Sequence, residues 1–473
     1  MKKILDIAVI GSGLAALNFA DTYTNKGKKI NLISFENKDL INSKNKNELK
    51  FLPSQMKGKS INVKNFFSAN NFELQKGCKV LGSLEFGGLS NYWGLQMDNY
   101  FNKSQKISSK TFKAIENHLI KLLNKFQLIG SYVKKNKILY KNDFHIPDQL
   151  NSLTLGKKNN YFNCEKPILG FFSQKNFKGN LNHINEEENK LSSFNFLKKI
   201  KKNKRINILN LYVKKILKNK KKIELVCVDR NNNEKRLKVK KLVLAAGTIS
   251  TTKIIADYLN FQSEIKVKHH PRLFSVFFSK KAIKSKMKFT PSILQIIRKS
   301  NQDYFSADLR PGNKMITDSI EEFFPFIKPF KPIINFLNHR IIFSNILLDS
   351  KDSDIYMKKI NEKFRIYSKK FIMKKILKKK NKKIYKFLLS KKIIYPFYYT
   401  HFPGPGADYH YFGTIPFNTE KKLSVDNNCK LKGSNNIYVV DSSIFEFKKN
   451  KYPLGIVMAN ARRVGSILSK IKT

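Results

Sequence analysis

A glycine-rich turn near the start of the chain restricts its fold more than any other feature. Residues 4 to 10 (ILDIAVI) are a short apolar run suited to a buried parallel strand, and they lead into GSGLAA at residues 11 to 16. This is the GxGxxA form of the dinucleotide fingerprint. Gly11 permits the tight turn, Gly13 lets a pyrophosphate approach the backbone, and Ala16 lets the next helix pack on the strand. We therefore expect a dinucleotide site here.

A second strand supports this interpretation. The helix is predicted to run to about Asn25, and the next strand covers residues 30 to 35, after Gly27. An acidic residue at the end of that strand holds the adenosine ribose hydroxyls in this fold. Glu36 is the acidic candidate within reach, whereas the usual spacing from Gly27 falls nearer Ser34. The alternative is an ordinary strand-to-helix turn without a nucleotide.

Composition argues against nucleic acid as the partner. The chain has 473 residues, of which 41% are hydrophobic, so it can bury a large core divided into two or three domains. Its 92 Lys plus Arg against 34 Asp plus Glu give a formal charge of +58, but only ten of the cations are Arg. Nucleic-acid readers rely on the planar Arg fork, and Lys, Asn, Ile and Phe share A/T-rich codons. Nucleic-acid binding is therefore not expected, and electrostatic attraction to anionic surfaces or substrates is an alternative.

The cysteines and the first residues indicate the cellular compartment of the protein. The four cysteines stand far apart, without a CxxC pair or a Cys/His spacing that would hold zinc, at positions 78, 164, 227 and 429. No metal is therefore expected, and a reducing compartment is the plain interpretation. The opening Met-Lys-Lys and apolar run resemble a secretory signal, but Asp6 interrupts the run. No apolar stretch reaches the roughly 18 residues of a spanning helix. We expect a cytoplasmic protein.

Two later segments also have the character of cofactor-facing loops. Within residues 82 to 97 (GSLEFGGLSNYWGLQM), the paired Gly87 and Gly88 bring backbone close to a flat ligand, and Ser90 and Asn91 can bond its polar edge.

The second of these segments lies far along the chain. Residues 206 to 259 are predicted to form a strand, a hairpin, a strand and a helix. Within them, residues 242 to 247 (LVLAAG) are a buried strand that runs into a small-residue turn at Ala246 and Gly247. A nucleotide domain built from such distant pieces is discontinuous in sequence.

The last segment, residues 401 to 473, carries the chemistry. It contains HYFGT at residues 410 to 414, NIYVVDSSIF at 436 to 445 and YPLGIVMANA at 452 to 461. With the earlier segments, and with His270-Pro271 after the second one, the sequence resembles the glucose-methanol-choline family of flavin oxidoreductases. The resemblance covers residues 1 to about 100, 206 to 275 and 400 to 473, in the family's order.

The resemblance implies an α/β fold with a Rossmann-like FAD-binding domain and a β-rich (α+β) substrate domain. The FAD domain is expected to comprise residues 1–100, 201–275 and 401–473, and the substrate domain with its covering insertions residues 101–200 and 276–400. No histidine lies near residues 87 to 94, so the FAD is expected to be bound non-covalently.

The resemblance also assigns roles to individual residues. The expected cofactor contacts are Gly11, Gly13 and Ala16 at the pyrophosphate, Gly87, Gly88 and Ser90 at the flavin, Val213 at the adenine, and Asp441 with Ser442 beside the cofactor. His410 matches the active-site histidine of His-x-x-Gly-Thr, and Tyr452 falls on the second active-site position, where the family has His or Asn. A tyrosine there can still donate a hydrogen bond to a substrate oxygen.

The implied reaction is oxidation of a CH-OH group, on a sugar or other polyol, to a carbonyl. Hydride loss from a carbinol carbon requires the hydroxyl proton to leave, and a histidine with a pKa near ~6.5 can accept it. His410 is the expected base; a buried histidine bonded to backbone, or His401 as the base, are the alternatives. The competing class is a flavin-binding protein that lost turnover through the change at Tyr452. The electron acceptor is not identified.

Two segments raise a membrane question. Residues 320 to 337 are rich in Phe, Ile and Pro, and residues 368 to 394 place apolar side chains at helical spacing among many lysines. Such a basic amphipathic segment can lie on an anionic bilayer. We favour a core-facing helix with a solvated lysine face. Peripheral contact with the inner membrane face, with a lipid-linked sugar or steroid-like alcohol as substrate, is the alternative.

Overall fold

The computed structural model describes most of the chain. The described residues are 4–35, 61–99, 101, 106–134, 137–155, 161–174, 177–200, 205–217, 222–283, 285–287, 291–298, 303–323, 325–369, 373–449 and 451–471.

Within these ranges the strands are numbered β1 to β21 in chain order and span Leu5–Ile10, Ile30–Ser34, Phe72–Leu74, Gln96–Met97, Leu128–Lys134, Lys137–Asn142, Asn163–Glu165, Ile168–Phe172, Ile206–Asn210, Tyr212–Leu217, Ile223–Val228, Glu234–Leu244, Ile265–Val267, Arg272–Ser279, Leu294–Arg298, Phe305–Pro311, Ile341–Leu348, Ile355–Ile360, Lys363–Ser368, Ile394–His401 and Ile437–Val439. The α-helices are numbered α1 to α11 and span Leu14–Thr24, Ile61–Ala69, Ser109–Phe126, Asp148–Leu155, Glu186–Asn189, Ser193–Ile200, Thr248–Leu259, Lys314–Phe323, Lys331–Leu337, Met373–Ser390 and Leu454–Lys470.

Five parallel strands form the centre of the first sheet, in the order β21, β12, β1, β2, β9. The long β12 also pairs antiparallel with β11, and β11 pairs antiparallel with β10, which extends the sheet. The last four residues of β1 are buried, as expected for a parallel strand covered on both faces. The three pieces of chain that supply these strands are residues 5–34, 206–244 and 437–439.

Helix α1 covers one face of this sheet and is buried along nearly its whole length, which explains its lack of a polar stripe. α11, near the end of the chain, packs against both α1 and α3. Arg462 on α11 donates a hydrogen bond to the buried Asp21 of α1 at 2.6 Å, and Lys125 of α3 pairs with the same carboxylate. The two ends of the sequence are thus joined through one buried charge cluster.

A six-stranded antiparallel sheet, in the order β20, β14, β17, β16, β15, β7, forms the second large layer. Helix α10 packs on β14, β17 and β20 through buried side chains that include Leu377, Ile384 and Leu388. This agrees with the favoured interpretation of residues 368 to 394 as a core-facing helix whose lysines point outward.

Two four-stranded sheets complete the fold, in the orders β13, β18, β19, β3 and β4, β8, β5, β6. The mixture of a parallel sheet with helices and separate antiparallel sheets confirms the α/β class, and β17 coincides with the strand predicted at residues 341 to 348. The division of the chain into two domains at the predicted boundaries stays a prediction.

No helix in the described part of the chain combines the length and the apolar character needed to cross a membrane.

Candidate functional site

A cavity of about 990 Å³ lies beyond the carboxyl ends of β1, β2 and β12. Ligands of open α/β sheets bind in this position, and the volume is at the upper end of the about 300–1,000 Å³ of small-molecule sites. Its walls come from the first glycine turn, the loop at residues 82 to 97, the turn after β12, the six-stranded sheet and the segment after residue 400. The cavity therefore joins the three remote stretches that the sequence singled out.

The first turn is built for close approach of a ligand. Gly11 has a φ of 113°, and a Cβ there would lie 2.2 Å from the Ala245 carbonyl oxygen. Its amide donates to Ile33 O at 2.9 Å, which locks the turn against β2. Gly13 precedes α1 and supplies no side-chain cap, so the first amides of this helix face the cavity. Such a helix terminus attracts phosphate groups.

Ser12 links this turn to the second glycine loop. Its hydroxyl accepts a hydrogen bond from the Gly87 amide at 2.9 Å and another from the Ser34 hydroxyl at 3.0 Å. Ser90 donates to Gly87 O at 2.6 Å, which closes a short 3-10 turn. The Asn91 side chain points into the loop instead of the cavity, because its Nδ2 donates to Phe86 O at 2.8 Å.

Asp441 fixes the third loop. Its carboxylate accepts from the Gly247 amide at 3.0 Å, from the Thr251 hydroxyl at 2.5 Å and from the Ser443 hydroxyl at 2.6 Å. Burial raises the pKa of this carboxyl group, and these hydrogen bonds oppose the rise. Asp441 thereby attaches the start of α7 to the end of β21, and Ser442 beside it shares a hydrogen bond of 2.8 Å with Thr248.

The structure brings most of the predicted site residues to one cavity. Those that line it are Gly11, Gly13, Gly87, Gly88, Ser90, Val213, Ala246, Gly247, His410, Asp441, Ser442 and Tyr452. Ala16 is buried in the packing of α1, and Asn91 lies behind the second loop. Glu36 is outside the described residues. Their roles as cofactor or substrate contacts stay predictions.

The two residues predicted to be catalytic lie side by side. The rings of His410 and Tyr452 meet edge to face, with centroids 5.6 Å apart and planes at 82°. The Tyr452 hydroxyl donates to Asp308 Oδ2 at 2.9 Å, and its amide donates to Asp98 Oδ2 at 3.1 Å. The single phenolic proton is thus directed at Asp308, which leaves the oxygen as an acceptor toward the cavity.

His410 is held neutral by its surroundings. Burial lowers its pKa to about 4; Arg272 and Arg310 act in the same direction, and Asp408 opposes them. Its Nδ1 is buried and has no hydrogen-bond partner among the described residues. A neutral imidazole at the cavity wall can accept a proton at physiological pH.

His401, the alternative base, also lines the cavity. It lies at the end of β20 and stacks parallel to Phe274, with ring centroids 6.4 Å apart.

The loop that carries His410 is anchored by a buried charge triad that the sequence reasoning missed. His269 contacts Asp408 through Nδ1 at 2.9 Å and Asp354 through Nε2 at 2.8 Å, and the His270 amide donates to Asp408 at 2.7 Å. Burial alone would lower the pKa of His269, but the two carboxylates outweigh it and raise the pKa to about 9. His269 is therefore an imidazolium at neutral pH. The available signal in the sequence is the position of His269 directly before the His270-Pro271 step.

Further contacts hold the same loop in a strained shape. Tyr409 has a φ of 62°, which is unusual for a bulky residue. The Arg272 guanidinium lies 5.1 Å from its ring centroid and donates to Ala407 O. Tyr411 accepts from the Leu81 amide at 2.9 Å on the other side of the loop. The position of His410 is thus determined from both sides.

A second missed residue is Asp308, in the fully buried strand β16. Besides Tyr452, its carboxylate accepts from the Asn345 side chain at 2.9 Å and from Arg310 at 3.3 Å. The available signal is a charged pair, Asp308 and Arg310, two positions apart in a mostly apolar strand, since buried charges require partners. Asp308 orients Tyr452 from the side of the cavity formed by the six-stranded sheet.

No family model matches the chain, and no curated protein matches its sequence. Among solved structures, the fold is similar to the crystal structure of pyridoxine 4-oxidase from Mesorbium loti, with a TM-score of 0.61 and 13% sequence identity. The similarity covers 99% of this chain and 100% of that one. At this identity, the match shows a shared fold over the full length of both chains.

Proposed function

We propose that the protein is an FAD-dependent oxidoreductase that oxidises a CH-OH group to a carbonyl, with His410 as the base. The observation that carries this proposal is a neutral, buried imidazole paired with Tyr452 in the same cavity as three glycine-rich loops. The full-length structural similarity to an enzyme named as an oxidase of pyridoxine supports it. So does the resemblance of the motifs to the glucose-methanol-choline family.

The residues present fit FAD. A Cβ at Gly11 would collide with backbone, and one at Gly13 would lie 3.4 Å from Gly87 O, so the first two loops leave a narrow cradle next to the start of α1. We assign Gly11 and Gly13 to the pyrophosphate and Gly87, Gly88 and Ser90 to the flavin ring. When bound there non-covalently, FAD supplies the acceptor for the hydride that leaves the carbinol carbon.

The protein's own part in the reaction is to orient the alcohol and take its proton. His410 is unprotonated at neutral pH because burial lowers its pKa, so its imidazole is free to take the alcohol proton as the hydride departs. Tyr452 cannot donate to the substrate while its proton is bonded to Asp308. Its oxygen can accept a hydrogen bond from another hydroxyl group of the substrate, because the one proton of the reacting hydroxyl goes to His410. This differs from the donor role expected from the sequence.

A sugar or polyol is the first substrate class, because Arg310, Asn345 and Asp408 bring polar groups to the cavity wall. The rest of the cavity wall favours a second substrate class, an alcohol with an apolar body. Side chains from β14, β17 and α8 line it with apolar surface, among them Phe274, Phe343 and Ile316. An alcohol on an apolar body fits this side better than a bare sugar does.

The proposal is tested by anaerobic reduction of the FAD-loaded protein with a panel of sugars, polyols and apolar alcohols. An active alcohol bleaches the flavin band, and His410→Ala is expected to keep the colour but slow bleaching by roughly 10²-fold or more. His118→Ala is the matched control, because His118 is also held neutral, with a pKa lowered to about 4 by burial, but lies on α3 outside the cavity lining.

Three outcomes would contradict the proposal at different points. Unchanged bleaching in the His410 variant moves the role to His401 or Tyr452. A yellow protein that no alcohol reduces supports the flavin-binding protein without turnover. A colourless protein that cannot be reconstituted with FAD removes the cofactor assignment itself.

A further inference from the structure

Large apolar side chains are exposed together on residues 325–337. This segment consists of a 3-10 helix, Pro325–Phe330, followed by α9. The members of the group are between 38% and 74% exposed and are Phe326, Phe330, Ile333, Phe336 and Leu337. A single exposed apolar residue is ordinary, but five within twelve positions form a patch of the kind that binds a partner or a membrane.

A second exposed group lies on β20, the edge strand of the six-stranded sheet. All five residues from 395 to 399 are exposed, including Tyr395, Phe397 and Tyr399. The rings of Tyr395 and Phe397 stack with centroids 5.8 Å apart, and Phe397 also contacts Phe278 of β14 at 5.1 Å. An exposed edge this rich in aromatic residues invites association.

The two groups lie at the same end of the sheet. There the end of β14 pairs with the beginnings of β17 and β20, because Phe278 lies opposite Ile341 and Ser279 opposite Ile394. Residues 338–340 connect α9 directly to β17. We call the combined surface, residues 325–337 and 395–399, the apolar rim.

Cationic side chains surround the apolar rim. Exposed lysines occupy the turn after β14, the 3-10 helix and the turn before β20, at Lys280, Lys281, Lys328, Lys391 and Lys392. The turns themselves are joined, since the Lys280 amide donates to Ile393 O at 2.9 Å. The acidic side chains on the adjoining α8 are partly neutralised, because Lys331 contacts both Asp318 and Glu321. The surface therefore combines apolar side chains with positive charge.

The large cavity reaches this surface. Tyr399 of the rim lines the cavity, and so does Phe278, whose ring lies 5.1 Å from that of the rim residue Phe397. Side chains of α8, the helix that precedes the rim, continue the same wall. A molecule held at the rim is thus adjacent to the apolar side of the cavity.

We propose that the apolar rim docks the protein on an anionic lipid bilayer. Aromatic and aliphatic side chains enter the boundary between headgroups and acyl chains, and the surrounding lysines meet lipid phosphates, each worth about 1 kcal/mol when close to the surface. A second copy of this chain is a poorer occupant. A two-fold contact through the rim would place the same set of lysines from each copy against one another, and the nearby Asp318 and Glu321 are already paired with Lys331.

If the proposed function also holds, and this step rests on it, the substrate is an alcohol with an apolar body that enters the cavity from the bilayer. α10 is not the membrane element in this arrangement, because Leu377, Ile384 and Leu388 pack on the sheet.

The experiment is flotation of the full-length, FAD-loaded protein with two kinds of vesicle, phosphatidylcholine alone and phosphatidylcholine mixed with phosphatidylglycerol. We expect flotation with the mixed vesicles only. The triple variant Phe326→Ser, Phe330→Ser, Phe336→Ser is expected to reduce the partition coefficient at least about 10-fold, since each phenyl ring loses apolar burial. Its matched control is Ile138→Ser with Ile360→Ser, two exposed apolar residues outside the rim that are 54% and 45% exposed.

A charge of +58 binds anionic vesicles to some extent anywhere on the surface, so the lysines need their own control. Lys280→Glu with Lys391→Glu and Lys392→Glu is compared with the same change at three exposed lysines of β10 and β12, Lys214, Lys215 and Lys238. Only the first set of substitutions is expected to release the protein from the mixed vesicles at moderate salt. Equal loss in both sets would mean that binding follows total charge, which overturns the proposal.

Two further results would also overturn it. One is flotation of the triple phenylalanine variant at the wild-type level. The other is a protein that ignores both vesicles and is a dimer by light scattering, with the triple variant monomeric, because the rim is then covered by a second copy. Each measurement uses retained flavin colour and circular dichroism to show folding. None requires turnover, so failure here is separate from failure of the proposed function.

Discussion

Replacing His269 with Gln tests the charge triad that anchors the loop carrying His410. The substitution removes an imidazolium and leaves Asp354 and Asp408 buried without their shared cation. The carboxylates raise the pKa of His269 from 6.5 to about 9, which corresponds to about 3 kcal/mol because each pKa unit is worth about 1.4 kcal/mol. Breaking a buried ion pair by removing one partner costs about 3–5 kcal/mol, so both routes predict a loss near 3 kcal/mol.

The raised pKa of His269 also predicts how the free energy of unfolding changes with pH. The folded-state pKa of His269 lies above the unfolded value, so its stabilisation is fully present below pH 6.5 and is lost as the pH rises through 9. Burial lowers the pKa of Lys451 to about 7, and this lysine acts in the opposite direction in the same range. Because Lys451 is present in both proteins, the difference in free energy of unfolding between wild type and His269→Gln isolates the histidine.

The assay is urea unfolding of the FAD-loaded protein at pH 6 and pH 9.5, followed by circular dichroism. We expect the difference between wild type and variant to be about 3 kcal/mol at pH 6 and to shrink at pH 9.5. Adding Asp354→Asn to the variant should recover part of the loss, since one of the two facing carboxylates is then neutral. If the difference in free energy of unfolding stays constant with pH, or is absent at pH 6, His269 is not charged in the folded protein.

The remaining predictions concern the cavity. The rate of flavin reduction by an active alcohol should be level from about pH 5 to 8 and fall below about pH 4, where His410 becomes protonated; a fall already near pH 6.5 in stopped-flow traces would contradict the low pKa. Gly11→Ala should abolish FAD binding because its Cβ would lie 2.2 Å from a backbone oxygen, whereas Gly433→Ala, also at positive φ but with open space around it, should retain the flavin absorbance. Tyr452→Phe should keep FAD but cost about 1–3 kcal/mol in urea unfolding, since Asp308 loses a buried donor; unchanged stability would argue against that hydrogen bond.

The parts of the fold that the sequence predicted are local ones. The first strand, turn and helix follow from residues 4 to 16, and the turn after β12 follows from LVLAAG, because a few adjacent residues determine each of them. Residues 368 to 394 show the limit of such patterns. A basic amphipathic helix has the same periodicity whether its apolar face meets lipid or protein, and only the position of the six-stranded sheet decides the matter for α10.

The parts that could not be predicted depend on residues far apart in sequence. His269 and Asp408 are 139 positions apart, and Tyr452 and Asp308 are 144 positions apart. Neither pair belongs to a motif, since each is created when strands of the antiparallel sheets bring distant residues together. Single residues such as His410 and Tyr452 were therefore identifiable from local motifs, while the partners that set their orientation and charge were not.

His269 and His410 lie near the same carboxylate, Asp408, but carry different charges. Burial would raise the pKa of Asp408, but His269 keeps it low, and both carboxylate oxygens are engaged, one by the His269 ring and one by the His270 amide. Asp408 acts on His410 through its charge, which raises the pKa of this histidine, but burial outweighs that effect and keeps the imidazole neutral. A loop anchor needs a charged imidazole, and a proton acceptor needs a neutral one. Two carboxylates bonded to the ring keep the anchor His269 charged, whereas burial keeps His410 neutral. Such a separation of pKa values within one site is how acid and base roles are divided.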